Sequence, residues 1–417
     1  MPGETFHQRA WGDTGARRWM VAAWVFWILA LATGMAAVFM TREGWHVALI
    51  RDKPRPEDFA RWGTVWAAAV NGSVCAMCAI IAVWQLIAAR KRSVHREEMV
   101  AAPMVPAFSQ KAIVRSEWIW LMILLALAGM LRWPRMGLSF YNDEAHTFRT
   151  YIAGRSKVTD DGSVTWRPVR WGETLWLNKV GNNQAPCSIF GRLFYDGWRK
   201  ISGAAEGTVC ETAVRLPQFI AGMASLIVLW LAARRMAGPH LARWVLLLAA
   251  LHPWHVRYST EARAYGFLLL GVAWCFYALQ RALEDGRWRW WLSLGLGEFL
   301  CLWSFPGAIY FVFVFDALVL AVLAGRVKRD GWNPVWGFGL GVLIGAMLTL
   351  QLMLPAAPQI AEAMRQLESL KGEMGFDWWL DAFSGIFFGN RGVDRDPSNP
   401  DNLALLRETM QWPWSWT

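Results

Sequence analysis

Long apolar runs broken by short basic turns dominate the chain. They fall at approximately 19–40, 62–89, 117–134, 213–233, 243–257, 262–281, 289–304, 306–325 and 335–355. An apolar run of about 20 residues is long enough to cross a bilayer as a helix. The pattern therefore predicts an all-α polytopic membrane protein with about nine transmembrane helices. The fifth run is short and contains Pro253, which predicts a broken element, tolerable where backbone lines a cavity. Two long polar stretches interrupt the runs, at 135–212 and 356–417. Amphipathic spacing in both (Leu193, Phe194 and Trp198; Ile360, Met364 and Leu367) predicts interfacial helices. The first run follows Arg17-Arg18 and reads as a signal anchor.

Composition supports this class. Hydrophobic residues make up 55% of the 417 and charged residues 18%, too apolar for a soluble domain of this length. Many of the 30 tryptophans flank apolar runs, as in Trp19, Trp24, Trp118, Trp133 and Trp290, where aromatic belts form. The net charge of +10 does not indicate nucleic acid, because most of the cations cluster at the ends of apolar runs. Basic residues concentrate in the N-terminal tail, around 90–115, and near 234–243, 281–289 and 326–329. That asymmetry predicts a cytoplasmic N-terminus and extracytoplasmic 135–212 and 356–417. Cys75-x-x-Cys78 sits within an apolar run and reads as buried small side chains. Cys187 and Cys210 share the long loop, where an oxidising compartment would permit a disulfide.

Four polar blocks carry candidate chemistry. Asp143-Glu144, followed by His146, stand just beyond the third run. Adjacent carboxylates at a membrane exit need water, a partner or a substrate. They suit a general base with a neighbour that orients the acceptor; the plain alternative is a helix-capping loop. Asn183 and Gln184, before Pro186, offer amides for sugar hydroxyls or simply turn the chain. Arg215, in Arg215-Leu216-Pro217, is a phosphate ligand or a snorkelling cation. His252 to Gly266 is the densest polar cluster. Arg257 and Glu261 lie four apart, as do Glu261 and Tyr265, so a plain helix-end ion pair is one reading. The other has Arg257 and Arg263 neutralising a lipid phosphate beside Tyr258 and Tyr265. His252, His255, Glu144 and His146 are a weak metal set. No cofactor is expected, with a divalent cation as the lesser alternative.

An apolar span ending in Asp-Glu, an Asn-Gln-Ala-Pro loop, Arg-Leu-Pro, and Tyr-Ser-Thr-Glu-Ala-Arg-Ala-Tyr occur here in one order. Over roughly 117–355 that order resembles the GT-C superfamily of membrane glycosyltransferases. The nearest branch looks like the bacterial relatives of protein O-mannosyltransferases and aminoarabinose transferases. The resemblance implies a GT-C-like fold and a polyprenyl-phosphate-linked sugar donor. It implies inverting transfer to a hydroxyl on a glycan, lipid or protein, on the extracytoplasmic face of a bacterial inner membrane. Asp143 matches the catalytic acid, with Glu144 beside it. Arg257, Arg263 and Arg215 match positions near the donor phosphate, and Tyr258, Glu261 and Tyr265 lie with them. Asn183, Gln184 and His146 are expected on the substrate side.

The implied organisation is two extra N-terminal helices with a cytoplasmic linker (1–116), a catalytic core (117–355) and a C-terminal extracytoplasmic segment (356–417). Three departures stand out. Gln184-Ala185-Pro186 replaces the His-Pro-Pro of many relatives, two spans precede the acidic pair, and no helices follow the second long loop, as in a truncated product. A transporter of lipid-linked sugars and a non-catalytic subunit are the competing readings. The transporter reading lacks the internal repeat such folds carry.

Overall fold

The computed structural model describes most of residues 20–35 and 68–84, and residues 113–158, 162–178, 183–353, 356 and 359. Two apolar helices, α1 (Ala23–Thr33) and α2 (Ala68–Trp84), precede the core. The core begins with α3 (Arg115–Arg132), which passes through a tight turn at Trp133–Gly137 into a loop layer. That layer holds α4 (Asn142–Thr147), a π-helical turn (Phe148–Ile152), strands β1 (Gly154–Val158) and β2 (Val164–Pro168), α5 (Trp171–Trp176) and α6 (Ala185–Ser202). The chain then returns through α7 (Glu211–Leu251), α8 (Pro253–Tyr258), α9 (Tyr265–Asp285), α10 (Trp288–Ser304), α11 (Ile309–Asp330) and α12 (Asn333–Met353).

The all-α polytopic class holds. Five helices among the described residues are long and apolar enough to cross a membrane: α3 with its following turn, α7, α9, α11 and α12. The apolar α10 has 17 residues and falls short of that length. The antiparallel β1–β2 hairpin, with Gly154 opposite Pro168, is an element the apolar pattern did not anticipate. It lies inside a polar loop, where that pattern carries no signal.

The predicted runs 213–233 and 243–257 appear as the two halves of α7. Gly238 sits at φ 84° and Pro239 follows it, so the helix cannot pass straight through. Contacts to α3 show that the chain reverses there. Arg234, just before the bend, pairs with Glu117 at the start of α3 at 2.8 Å. Arg215 and Ala250, at the far ends of the two halves, both reach the other end of α3: Arg215 donates to the Arg135 carbonyl and Arg132 to the Ala250 carbonyl, each at 3.0 Å. Leu226 and Trp230 from one half and Leu246 and Ala250 from the other bury against Leu121, Leu124 and Ala128. The predicted break at Pro253 is present, with α7 ending at Leu251 and α8 opening at Pro253.

Arg234 and Arg235 were expected as loop cations of the basic side. Instead, each is ion-paired to a buried glutamate, Arg234 to Glu117 and Arg235 to Glu284. A cation drawn into a helix packing needs a counter-ion to offset its lost hydration. Cys187 and Cys210 are both free, so the loop carries no disulfide between them; Cys187 is buried and its Sγ accepts from Gln218 Nε2 at 2.8 Å. Cys75 and Cys78 are free as well. Of the segment 356–417, nearly all lies outside the described residues. Gln359 is an exception, donating to the Trp176 carbonyl at 3.0 Å and accepting from the Asn178 N–H at 2.8 Å.

Candidate active site

The acidic pair opens α4, a single short turn of helix. Both carboxylates lie in its first turn, where the unpaired N–H groups favour negative charge. Beyond that, their surroundings diverge. The Glu144 side chain is 1% exposed and its oxygens are fully engaged. Oε1 accepts from Arg215 Nε at 2.9 Å and from the Ala262 N–H at 2.5 Å. Oε2 accepts from Arg215 Nη2 at 2.6 Å and from the Tyr141 N–H at 3.3 Å. A carboxylate has about four acceptor sites, and here all are taken. Arg215 is equally committed. Its Nη1 donates to the carbonyls of Arg135, Met136 and Leu138, and its guanidinium lies 5.2 Å from the Phe140 ring centroid.

Asp143 is different. Its side chain is 51% exposed, and Arg263 Nη1 meets Oδ2 at 2.9 Å. Arg263 is itself buried, with its guanidinium 5.7 Å from the Tyr265 ring centroid. An accessible carboxylate is thus held by a guanidinium fixed from behind.

The segment from α8 to the start of α9 supplies the rest of the cluster. Arg257 Nε meets Glu261 Oε1 at 2.6 Å, and the Tyr141 hydroxyl donates to Glu261 Oε2 at 3.4 Å. The predicted four-residue spacing of Arg257 and Glu261 is realised as an ion pair. Burial first, then the Glu261 charge, pushes the Tyr141 phenol well above its ordinary value, so it stays a hydrogen-bond donor. The Arg257 side chain remains 38% exposed and covers the Trp254 ring at 5.4 Å. Trp254 stacks on Tyr258 at 5.2 Å, Tyr258 meets Tyr265 at 4.5 Å, and Tyr265 meets Phe305 at 6.1 Å. Tyr258 and Tyr265 thus form one continuous aromatic row flanked by Arg257 and Arg263.

The amide block lies beside this cluster and is turned inward. Gln184 is buried, and its Oε1 accepts from the Ala264 N–H at 2.5 Å, fixing the loop that carries Arg263. Asn183 Nδ2 donates to the carbonyls of Thr174 and Leu177 at 3.0 and 2.8 Å, while its Oδ1 accepts from Ser188 at 2.6 Å. Asn183 therefore spends its amide on the chain itself, as Gln184 does its carbonyl oxygen. His146, one turn beyond Asp143, lies edge-on to Tyr151 at 5.8 Å, and its buried Nε2 lacks a hydrogen-bond partner among the described residues.

Arg132 went unnoticed in the sequence, yet it organises this end of the bundle. It is fully buried at the end of α3 and donates to the Ala250 carbonyl at 3.0 Å, Ser259 Oγ at 2.9 Å and His255 Nδ1 at 3.0 Å. Ser225 Oγ lies 3.1 Å from His255 Nε2. Burial, reinforced by Arg132, pushes the His255 pKa down to about 3, so its ring is neutral. The Nδ1 lone pair then takes the Arg132 hydrogen, and Nε2–H faces Ser225. Both ring nitrogens are occupied, which leaves His255 unsuited to a metal. Among the described residues no group of three or more His, Cys, Asp or Glu side chains converges as a metal site. A signal for Arg132 did exist: Arg132 and Arg135 are cations at the same end of α3 as the acidic pair, away from the basic loops.

The geometry thus joins Asp143, Arg263, Arg257, Glu261, Tyr258 and Tyr265 in one polar cluster at a helix-bundle end, braced by Glu144, Arg215 and Gln184. Residues 204–353 match the family model described as dolichyl-phosphate-mannose-protein mannosyltransferase, a GT-C superfamily domain. The match runs from just before α7 to the end of α12. It includes Arg215 and the whole 252–266 segment, whereas Asp143 and the loop layer up to α6 lie upstream. No curated protein and no solved structure matches the chain. The matched family points to glycosyl transfer of the GT-C type by a membrane protein.

Proposed function

We propose that the protein transfers a sugar from a polyprenyl-phosphate donor to a hydroxyl acceptor, with inversion, using Asp143 as general base. The observation that carries the reading is the contrast within the acidic pair. Asp143 is accessible and oriented by Arg263, while Glu144 is buried and saturated. The family description names a dolichyl-phosphate sugar, which supports a lipid-phosphate donor for this chain.

In this mechanism Asp143 takes the proton of the acceptor hydroxyl as its oxygen attacks the anomeric carbon. The bond from that carbon to the phosphate oxygen breaks, and the phosphate leaves with the electron pair. General-base assistance of this kind contributes on the order of a hundred- to ten-thousandfold. Arg257, the more exposed guanidinium of the cluster, neutralises charge growing on the leaving phosphate. Arg263 orients the base, and the Tyr258–Tyr265 row offers aromatic surface to the sugar. Glu144 and Arg215 position this machinery from behind, so the proposal gives neither of them contact with substrate. Gln184 and Asn183 serve in the same way, through the Ala264 backbone and the start of α6. His146, one turn beyond Asp143, is assigned to the substrate side. The basic-loop pattern of the sequence supports an extracytoplasmic site.

The test is transfer from a synthetic polyprenyl-phosphate sugar by the purified chain in lipid nanodiscs, together with its Asp143→Asn variant. The variant should retain folding and lose transfer. Activity persisting in a folded D143N protein would remove Asp143 from the role of base.

A further inference from the structure

A cavity of about 400 Å³ lies in the loop layer, between one face of α6 and the β1–β2 hairpin, roofed by Glu206 and Gly207. Arg192, Asp196, Arg199 and Lys200 line it from α6. Their spacing of i, i+4, i+7 and i+8 puts all four on the same helix face. The roof is fixed, since the Tyr195 hydroxyl donates to the Thr208 carbonyl at 3.0 Å.

These charges differ in how far they are satisfied. Arg192 is committed: it donates to Thr174 Oγ1 at 2.6 Å, lies over Trp171 at 4.3 Å and meets Asp196 at 3.5 Å. Arg199 is not. Its contact to Glu206 is long, at 3.8 Å, and its buried Nε has no hydrogen-bond partner among the described residues. Lys200, exposed, adds a second positive charge beside it. The buried Arg199 Nε is out of a ligand's reach; what Arg199 offers the cavity is the exposed part of its guanidinium, which with Lys200 puts two cationic donors on the wall for an oxyanion.

The carboxylates define the rest of the ligand. Asp196 and Glu206 would repel a bare anion, but they accept hydrogen bonds from hydroxyls. A ring bearing hydroxyls and one acidic group uses both kinds of lining. The volume suits a small ligand rather than a peptide strand. We propose that this cavity is a subsite for an acidic sugar of the acceptor, carrying a carboxylate or a phosphate. The word acceptor rests on the glycosyl-transfer reading above; binding of an acidic sugar rests on the cavity alone. Position supports the link. Ile152 and Ala153 line the cavity, and Ile152 ends the π-turn that continues α4 from Asp143. Nine residues of helix from Asp143 to Ile152 rise about 13 Å, within reach of an oligosaccharide.

The test is calorimetric and NMR binding by the full chain in nanodiscs, using glucuronic acid, glucose 6-phosphate, glucose and inorganic phosphate. At least one acidic sugar should bind, on the order of tenfold tighter than glucose. The two acidic probes distinguish a carboxylate from a phosphate. Arg199→Gln should weaken that binding by on the order of tenfold, and Lys200→Gln by less. Lys200 is exposed, so K200Q reports even if R199Q fails to fold. D143N should bind the acidic sugar as the parent does. The subsite is overturned if neither acidic sugar outbinds glucose, if inorganic phosphate binds as well as glucose 6-phosphate, or if R199Q and K200Q bind unchanged. Transfer from a polyprenyl-phosphate sugar is scored separately. Arg199-dependent binding without transfer would leave the cavity standing and sink the glycosyl-transfer reading. Transfer with binding indifferent to Arg199 would do the reverse.

Discussion

Arg215 closes on Glu144 through two buried hydrogen bonds, Nε to Oε1 at 2.9 Å and Nη2 to Oε2 at 2.6 Å, while the adjacent Asp143 stays open to solvent. The pair joins the first turn of α4 to the N-terminal end of α7. The Ala262 N–H also binds Glu144, so one carboxylate ties together three segments of chain. Two neighbouring acids thus have opposite tasks, set by what the fold puts beside each.

Removing one partner of this buried pair strands the other. Glu144→Ala should lower stability by about 3–5 kcal/mol, and Arg215→Ala by a similar amount. The double variant should lose less than the sum. Thermal unfolding in detergent, run as a double-mutant cycle, measures the coupling. Additive losses would show that the two side chains do not act as a unit.

Gln184 braces the loop that carries Arg263. Gln184→Ala leaves the buried Ala264 N–H without an acceptor, at a cost of about 1–3 kcal/mol. Under the proposed mechanism the fall in transfer should appear mainly in kcat, because Arg263 orients the base. A rise in acceptor KM with kcat intact would instead place Gln184 against the substrate.

Arg257→Ala should reduce transfer on the order of a hundredfold or more, by withdrawing positive charge from the leaving phosphate. Loss of the charge also unpairs the buried Glu261, so the melting temperature should fall too. Steady-state kinetics with a polyprenyl-phosphate donor check this, and Arg257→Lys should recover part of the rate.

His255 gives a pH signature. Its folded pKa lies near 3, below the ordinary value near 6.5, so the fold favours the neutral ring. The contribution is complete above about pH 6.5 and is lost as pH falls from there toward about 3. Unfolding temperatures of the parent and of His255→Asn, measured from pH 8 to pH 4, should diverge least at the acid end. A constant gap across that range would mean that His255 does not titrate on unfolding.

Much of this was legible before any fold was known. The runs at 213–233 and 243–257 are present as the two halves of α7, because Gly238-Pro239 ends one helix and opens the next through local backbone chemistry. The Arg257–Glu261 spacing also holds, since it needs only one turn of chain. The hairpin at 154–168 was not legible, because short polar strands in a loop carry no apolar alternation. Arg234 and Arg235 read as loop cations, because their partners Glu117 and Glu284 are distant in sequence.

By itself the sequence determined the membrane class, the separation of the runs 213–233 and 243–257, the break at Pro253, and the polar blocks that carry the candidate chemistry. These follow from chain-local physics: the length of an apolar run, the missing N–H of proline and the cost of a charge in hydrocarbon. Only the tertiary structure decided which carboxylate is available. Asp143 and Glu144 are neighbours of the same chemical kind, and nothing local separates them. What separates them is Arg215 and Ala262, dozens of residues away, which saturate Glu144, and Arg263, which orients Asp143 and leaves it open.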